Sequence, residues 1–227
     1  MFSYYGSKSK IAKLYPKPKY NLIIEPFAGA AWYSLLHSEK NIILNDKYDK
    51  IYKIWDWLIN FATEQEILES RDFYVQQNIN TLNISEPHKQ LIGFCINRGS
   101  ITPKNIVQKW SCQVKSRPNW ASTPYYNLTQ ISQNLNKIKH WKILNQNYKN
   151  LENLEATWFI DPPYQFGGEH YIENNLNIDY SELADWCKSR RGQIIVCENS
   201  KANWLPFTEL IEITGQRQKT TEMIFTT

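Results

Sequence analysis

The tetrapeptide Asp161-Pro162-Pro163-Tyr164 brings together a carboxylate, a carbonyl oxygen and an aromatic ring. It follows residues 157–160, an apolar run of high β-propensity that predicts a buried strand. Two consecutive prolines cannot continue that strand, because each lacks an N–H group and has a fixed φ. The Asp161 carboxylate and the Pro162 carbonyl can accept the two hydrogens of an exocyclic amino group, and the Tyr164 ring can stack on a planar base. The pattern predicts a site that alkylates the amino group of a nucleobase; the alternative is an ordinary strand end with a proline turn and a surface tyrosine.

The rest of the chain predicts an α/β core that is interrupted by a helical region. Strands are predicted at residues 21–25, 42–46, 141–144, 157–160 and 193–197, with a closing hairpin from 209 to 225. Helices are predicted at residues 31–38 and 180–190, and the strand, helix, strand order implies a parallel sheet. Between residues 48 and 139 the apolar periodicity is mostly helical, with loops predicted at 98–126. We therefore expect a catalytic domain formed by residues 1–50 and 140–227, with an inserted lobe at residues 51–139.

A turn rich in small residues follows the first predicted strand, and an acidic residue ends the second. The turn reads Glu25-Pro26-Phe27-Ala28-Gly29-Ala30. Small side chains let the backbone come close to a ligand at the carboxyl edge of a parallel sheet. The turn lacks the GxGxxG and GK[ST] patterns, which disfavours a dinucleotide or a triphosphate. Asp46 is placed to accept hydrogen bonds from the two hydroxyls of a ribose; the alternative is that it caps the helix starting near Tyr48.

The N-terminal segment Tyr5-Gly6-Ser7-Lys8 combines an aromatic side chain, a flexible turn and a cation. No strand is predicted before it, so it is not a phosphate-binding loop. Lys8 could neutralise a carboxylate of a ligand, and Tyr5 could cover an apolar part of the same ligand. The alternative is an ordinary exposed, lysine-rich start of the chain.

The composition indicates a cytoplasmic globular protein without a metal site. The 227 residues suffice for one large core, or for a core with a small lobe, and 42% of them are hydrophobic. No apolar run is long enough to span a membrane. The cysteines show no CxxC or Cys/His ligand spacing and are expected to be reduced thiols: Cys95, Cys112, Cys187 and Cys197.

Charge is distributed unevenly along the chain. The net charge is +4, but no acidic residue occurs between Glu86 and Glu152, a stretch that contains ten lysines and arginines. A solvated basic face usually mixes charges of both signs. The acid-free stretch therefore predicts a polyanionic partner, and nucleic acid is the favoured one.

The order of these motifs resembles the Dam-type family of N6-adenine DNA methyltransferases. The shared elements are residues 5–8, the turn at residues 25–30, Asp46 and the Asp161 tetrapeptide, and residues 195–207 look like the bacteriophage-associated branch of that family. The resemblance covers both ends of the chain well and the middle poorly. It implies an α/β fold with a Rossmann-like S-adenosylmethionine-dependent methyltransferase core and an inserted target-recognition lobe.

The resemblance also implies roles for individual residues. S-adenosylmethionine is the implied cofactor, with its methionine end at residues 5–8 and 25–30, its ribose at Asp46, and Asp161 beside it. Family members often carry an acidic residue near the adenine of the cofactor; the matching stretch here offers Asn147, whose amide can still pair with the adenine edge. A second departure is Ala30-Ala31-Trp32, where the family more often has Gly or Ser following the turn. The residues implied to contact DNA are Arg98, Lys104, Lys109, Trp110, Lys115, Arg117 and Trp120, together with Tyr125 and Tyr126.

The implied reaction transfers a methyl group to N6 of an adenine that has been flipped out of duplex DNA. Asp161, Pro162 and Tyr164 are the implied catalytic residues, and they act through positioning and electrostatics. Three alternatives stay open: N4 of cytosine as the acceptor, RNA as the substrate, and an inactive nucleic-acid-binding protein of the same fold. Duplex DNA is the expected partner, and a cognate restriction enzyme is a further candidate.

Overall fold

A computed structural model describes residues 2–97, 99–116, 123–173, 175–214 and 219–227. The chain divides into two compact units. We call them the sheet unit (Lys8–Tyr48 and Lys142–Thr227) and the helical unit (Met1–Ser7 and Asp49–Trp141). The domain boundaries expected from the sequence, residues 1–50 with 140–227 around 51–139, stay a prediction.

The sheet unit is built on a seven-stranded sheet. Its strands are β1 (Leu22–Glu25), β2 (Asn41–Asn45), β3 (Lys142–Leu144), β4 (Ala156–Ile160), β5 (Gly192–Asn199), β6 (Thr208–Thr214) and β7 (Lys219–Thr226). Their spatial order is β3-β2-β1-β4-β5-β7-β6. The first five pair in parallel, whereas β7 runs antiparallel to both β5 and β6. The parallel part has the strand order of a doubly wound sheet, which confirms the expected Rossmann-like α/β fold.

Strand β4 lies at the centre of the sheet unit, and all five of its residues are buried. Its two faces pack against different aromatic side chains. Trp158 meets Trp186 edge-on at 5.6 Å between ring centroids, and Phe159 stacks on Tyr33 at 4.3 Å. A strand that is buried on both faces and carries a continuous apolar run is typical of a parallel sheet.

Two helices of the sheet unit supply these aromatic partners. They are α1 (Trp32–Leu36), which carries Tyr33, and α6 (Tyr180–Lys188), which carries Trp186. Helix α6 begins where the Asp179 side chain accepts hydrogen bonds from the backbone N–H groups of the first turn. The two helices therefore pack against opposite faces of β4.

The helical unit contains α2 (Asp49–Asn60), α3 (Glu64–Glu69), α4 (Glu86–Cys95) and α5 (Pro124–Asn134). Helix α3 begins with a capping box formed by Thr63 and Glu66. Phe2 joins the aromatic core of this unit, with its ring 5.9 Å from Trp55 and 5.8 Å from Phe94. The start of the chain belongs to the helical unit because Phe2 is buried there.

Residues 98–126 were expected to form loops, which is confirmed for residues 99–108 and wrong for Lys109–Ser116 and from Pro124 onward. Lys109–Ser116 form a 3-10 helix, and α5 begins at Pro124. A proline is favourable at the first position of a helix, because its missing N–H would have no partner within the helix. The Thr123 side chain completes the start by accepting from the Tyr126 N–H. Tyr125 and Tyr126 consequently lie on a helix.

The other predicted strands and helices at both ends of the chain are confirmed to within a few residues. All four cysteines are free thiols. No helix within the described ranges is long and apolar enough to cross a membrane.

Gly192→Ala should destabilise the protein far more than Gly167→Ala. Both glycines have positive φ angles, +105° and +90°, so an alanine costs about 1–2 kcal/mol at either position. A Cβ at Gly192 would also lie 2.2 Å from the Ala156 carbonyl oxygen, whereas among the described residues nothing lies within 4 Å of a Cβ at Gly167. We expect urea denaturation to show a loss of about 3 kcal/mol or more for Gly192→Ala and about 1 kcal/mol for Gly167→Ala. Equal losses would contradict the close approach of β4 and β5.

Candidate active site

The carboxyl edge of the sheet between β1 and β4 is the place where the strand order reverses. From β1 the chain continues to β2 and β3 on one side, whereas β4 and β5 lie on the other. Strands β1 and β4 pair directly, with Ile23 opposite Thr157 and Ile24 opposite Trp158. The turns that follow the two strands therefore leave the sheet side by side. Such a switch point is the usual ligand crevice of an open α/β sheet.

The turn after β1 is a tight backbone loop that is tied to the end of β2. Gly29 and Ala31 have φ angles of 47° and 49°, both in the left-handed region. The Ala28 N–H donates to the Asn45 carbonyl at 2.9 Å, and the Gly29 N–H donates to Asp46 Oδ2 at 2.9 Å. These bonds fix the conformation of the turn. Because its side chains are small, its backbone lies close to the sheet edge.

The unusual residues after this turn are accommodated with some strain. A left-handed alanine such as Ala31 costs about 1–2 kcal/mol, which a glycine would avoid. The Trp32 indole N–H is buried and has no hydrogen-bond partner in the part of the chain that the structure describes. An unpaired buried donor costs about 1–3 kcal/mol. Backbone and polar strain of this kind is concentrated at functional sites.

Asp46 supports the turn through both of its carboxylate oxygens. Oδ2 accepts the bond from Gly29, and Oδ1 accepts the N–H of Tyr48 at 2.9 Å. Helix α2 begins at Asp49, so Asp46 does not occupy the position of its N-cap. Burial raises the pKa of Asp46 to about 6, although the two backbone bonds oppose the rise. Each oxygen can accept a further hydrogen bond, and the role of Asp46 at a ribose stays a prediction.

Glu25 is the last residue of β1 and is only 2% exposed. Its Oε1 accepts the Ser34 N–H at 2.8 Å, near the start of α1. Burial raises the pKa of Glu25 to about 8, and the bonds from Ser34 oppose this rise only in part. Glu25 is thus placed to support α1, and a direct contact of Glu25 with a cofactor stays a prediction.

Three further residues predicted at the cofactor are engaged in local contacts. The Pro26 carbonyl accepts from Asn45 Nδ2 at 2.9 Å, and the Phe27 ring lies 5.3 Å from that of Tyr148. The Asn147 side chain accepts the backbone N–H two residues further on, at 3.0 Å. The structure therefore brings Phe27 and the segment containing Asn147 together on one side of the turn.

A charged cluster surrounds the end of β4 and consists of Lys8, Tyr15, Asp161, Tyr164 and Glu222. The Lys8 ammonium lies 3.0 Å from Asp161 Oδ1 and 3.3 Å from Glu222 Oε1. It also donates to the Tyr164 hydroxyl and lies 4.5 Å from the centroid of that ring. The hydroxyls of Tyr15 and Tyr164 each donate to Glu222 Oε1 at 2.7 Å. The structure thus brings Lys8 together with Asp161 and Tyr164.

Burial sets the protonation behaviour of the charged cluster. It raises the pKa of Asp161 to about 6, although the charge of Lys8 opposes that rise. Burial lowers the pKa of Lys8, but the carboxylates of Asp161 and Glu222 outweigh it, so the pKa lies above its ordinary value. Burial also raises the pKa of Tyr164 well above its ordinary value. At neutral pH two carboxylates face one ammonium, and this net negative charge favours a cationic ligand.

Hydrogen bonds from two segments, α6 and β5, fix the backbone that leaves β4. The Tyr180 hydroxyl donates to the Pro163 carbonyl at 2.6 Å, and the Gln165 N–H donates to Glu198 Oε2 at 2.8 Å. Glu198, on β5, is fully buried and also accepts the Trp204 indole N–H at 3.1 Å. Burial raises the pKa of Glu198 to about 7. The position of the tetrapeptide therefore depends on α6 and β5 as well as on its own prolines.

Sequence reasoning missed Tyr15 and Glu222. The alternation of β7 turns Glu222 and Ile224 to the same buried side of the strand. The sequence does contain a signal for Glu222, namely an acidic residue at an inward-facing position of a strand. Because buried carboxylates are rare unless they are paired, such a residue predicts a buried partner. Tyr15 follows a short 3-10 helix, Ala12–Leu14, and carries no comparable signal.

The N-terminal motif is divided between the two units. Tyr5 belongs to the helical unit, where its N–H donates to the Ser100 carbonyl at 3.3 Å. Lys8 belongs to the sheet unit, where protein carboxylates hold its ammonium. The contacts of Tyr5 and Lys8 with a cofactor stay predictions.

The residues implied to contact DNA lie in the helical unit or outside the described residues. Lys104 and Lys109 are exposed, and Trp110 is half-buried. Lys115 lies on the 3-10 helix at Lys109–Ser116. The remaining three are outside the described residues: Arg98, Arg117 and Trp120. Contacts of these seven residues with DNA, and those of Tyr125 and Tyr126 on α5, stay predictions.

No protein-family model matches the chain, and no curated protein matches it. Two solved structures similar to it are the rRNA methyltransferase aviRa from Streptomyces viridochromogenes and a conserved hypothetical protein from Streptococcus pyogenes. The first has 11% identity and a TM-score of 0.36, covering 89% of this chain and 76% of that one. The second has 10% identity and a TM-score of 0.34, covering 89% of this chain and 84% of that one. Likenesses at this level carry no conclusion about function.

Glu25→Gln should stabilise the protein progressively as the pH rises. Because burial raises the pKa of Glu25 from 4.5 to about 8, the folded protein retains a proton that the unfolded chain loses above pH 4.5. The wild type therefore loses stability relative to the variant from pH 4.5 to 8, whereas the amide oxygen still accepts from Ser34. We expect urea denaturation to show no difference at the acid end and a gain of about 2–4 kcal/mol at pH 8. Exposed Glu39→Gln is the control, and a pH-independent difference would contradict a buried neutral Glu25.

Proposed function

We propose that this protein is a methyltransferase that transfers a methyl group from S-adenosylmethionine to N6 of an adenine in duplex DNA. The observation that carries the proposal is the position of the Asp161 tetrapeptide. It leaves β4 at the switch point of the sheet, beside the small-residue turn after β1. Its carboxylate and its ring belong to one buried, negatively charged cluster.

The residues at the sheet edge fit a cationic nucleoside cofactor. S-adenosylmethionine supplies, when bound, a methyl group on a positively charged sulfur. The net negative charge of the cluster complements that charge. The turn at residues 28–31 would hold the cofactor through its closely approaching backbone, and the remaining acceptor sites of Asp46 would hold the ribose.

The tetrapeptide supplies the acceptors for the base. The Asp161 carboxylate and the Pro162 carbonyl would accept the two hydrogens of the amino group, which concentrates electron density on its nitrogen. With a pKa of about 6, Asp161 is ionised at neutral pH and can take the proton that the nitrogen loses after methylation. The Lys8 ammonium donates to the Tyr164 hydroxyl at the edge of the ring, so a flipped base would stack on a face of the ring and not on the side that Lys8 contacts. These groups are held in place before the reaction, so they need not reorganise when charge develops in the transition state.

The acid-free stretch supports DNA as the substrate. Lys104 and Lys109 are exposed in it, and exposed lysines that are not matched by acids favour contact with phosphates. An adenine within a duplex must be flipped out before its amino group can be reached. N4 of cytosine and RNA share the same amino-group chemistry, so the methylated product decides among them.

Asp161→Ala should reduce kcat by about 10²–10³-fold or more, because it removes an acceptor that acts on the reacting amino group. The assay is transfer of labelled methyl from S-adenosylmethionine to undermethylated duplex DNA, followed by nucleoside analysis. Asp185→Ala, at an exposed position of α6, is the matched control and should keep full activity.

Label in N6-methyladenine that disappears in Asp161→Ala supports the proposal. Label in N4-methylcytosine would support the same site but show that the acceptor is cytosine. Label in RNA alone would show that the substrate is RNA. Tight DNA binding with no label in any nucleic acid would overturn the proposal in favour of a binding protein.

Lys104→Gln combined with Lys109→Gln should weaken DNA binding without regard to sequence. If each lysine neutralises one phosphate, the slope of log K against log salt concentration should fall by about 2 in magnitude. Fluorescence anisotropy with labelled duplexes at several salt concentrations measures that slope. Lys53→Gln is the control, because Lys53 of the same unit is paired with Asp49 at 2.6 Å. An unchanged slope in the double variant would exclude these lysines from the DNA contact.

A further inference from the structure

We propose that Glu222 is a positioning residue of this site, which holds the Tyr164 ring and the Lys8 ammonium in place around Asp161. The inference rests on the proposed function for its catalytic consequence, whereas the arrangement itself can be tested without methyl transfer. Glu222 lies outside every motif that the sequence analysis identified.

An irregularity in the β6–β7 pairing lies next to Glu222 on β7. Glu222 pairs with Asn199 of β5 and with Ile211 of β6, and the register of β6 shifts between Glu209 and Ile211, directly beside that pairing. Bulges of this kind re-aim side chains and are over-represented next to active sites. The Glu222 side chain is 8% exposed.

The partners of Glu222 come from the functional segments and not from its own hairpin. One oxygen, Oε1, accepts from the hydroxyls of Tyr15 and Tyr164 and lies 3.3 Å from the Lys8 ammonium. A buried carboxylate is costly unless donors surround it. Because two of the three donors belong to the site around Asp161, the burial of Glu222 stabilises the geometry of that site.

The bonds to Glu222 restrict both neighbours of Asp161. The Tyr164 hydroxyl is held 2.7 Å from Glu222 Oε1, so the whole ring cannot swing away from Lys8 by rotation about the Cα–Cβ bond without losing that bond. The Lys8 ammonium has two carboxylates, so it stays protonated and stays beside Asp161. Loss of the Glu222 charge would leave Asp161 as the single anion for Lys8 among these five side chains.

The first test measures the reactivity of Lys8 and needs no substrate. Acylation by acetic anhydride requires a deprotonated amine, so an ion pair protects Lys8. In Glu222→Gln at alkaline pH, peptide mapping by mass spectrometry should show Lys8 acylated about 10-fold faster, which corresponds to a fall of one pKa unit. Exposed Lys10 and Lys13 serve as internal references. Glu212→Gln on the same hairpin, where Glu212 is exposed and paired with Lys219, should leave Lys8 unchanged.

The second test measures the pH dependence of kcat. The titratable groups that face the cluster from the packed elements are Lys8, Tyr15, Glu25, Asp161, Tyr164, Tyr171, Cys197 and Glu198. The charge of Glu222 raises the pKa of Asp161, so Glu222→Gln should move the acid limb of kcat to lower pH. It should also reduce kcat by about 10-fold or more with a smaller change in KM for DNA. A purely structural defect would lower activity without moving the limb.

Glu222→Asp retains the charge and shortens the side chain, so Lys8 protection should be partly restored and kcat should lie between the other two proteins. It also serves if Glu222→Gln does not fold. Unchanged Lys8 reactivity in folded Glu222→Gln, or in folded Glu222→Asp where only that variant folds, would overturn the arrangement. An altered Lys8 reactivity with an unmoved acid limb would overturn the positioning role. Absence of methyl transfer in the wild type would refute the proposed function instead, and the acylation result would still decide the arrangement.

Discussion

The direct pairing of β1 with β4 is the constraint on which the sheet edge depends. Both strands are central and buried, and because they run parallel their carboxyl ends leave the sheet at one edge. Glu25 and Asp161 therefore enter the same poorly solvated environment, which raises the pKa of both. Each carboxyl then needs a donor, and the fold supplies the Ser34 N–H to Glu25 and the Lys8 ammonium to Asp161. The architecture of the site follows from satisfying acids that the strand order brings together.

Opposite charges are separated along the chain. Acids accumulate at the sheet edge, where Asp161, Glu198 and Glu222 are all deeply or mostly buried, whereas no acid occurs between Glu86 and Glu152. A cationic cofactor and a polyanionic substrate make contrary electrostatic demands, and one surface of uniform sign could not meet both. Under the proposed function, assigning the two demands to different segments resolves this conflict.

The sequence predicts best where several local signals agree. At β4 a continuous apolar run, two prolines and a following aromatic residue all indicate a buried strand that ends at Asp161. At residues 98–126 proline and polar residues indicated loops, but Pro124 is a helix start, because Thr123 caps the turn that it opens. Glu222 could not be assigned, because its partners lie 58 and 207 positions away in the chain and meet it only when β7 pairs with β5. For Lys8 the sequence suggested a ligand carboxylate, whereas burial places two protein carboxylates around it.

The second carboxylate beside Lys8 also bears on how Asp161 could accept a hydrogen bond from an uncharged amino group. In the folded protein Lys8 already gives Asp161 the kind of N–H donor that a base amino group would give. A charge-assisted bond is stronger than a neutral one, so an amino group could not displace Lys8 from a lone carboxylate without leaving a buried ammonium unpaired. Glu222 Oε1 lies 3.3 Å from the same ammonium, so under the proposed function Lys8 can stay beside Asp161 and share its charge with Glu222 while Asp161 accepts from the base. The second carboxylate thereby leaves the first one anionic and available, which a site with Asp161 and Lys8 alone could not achieve.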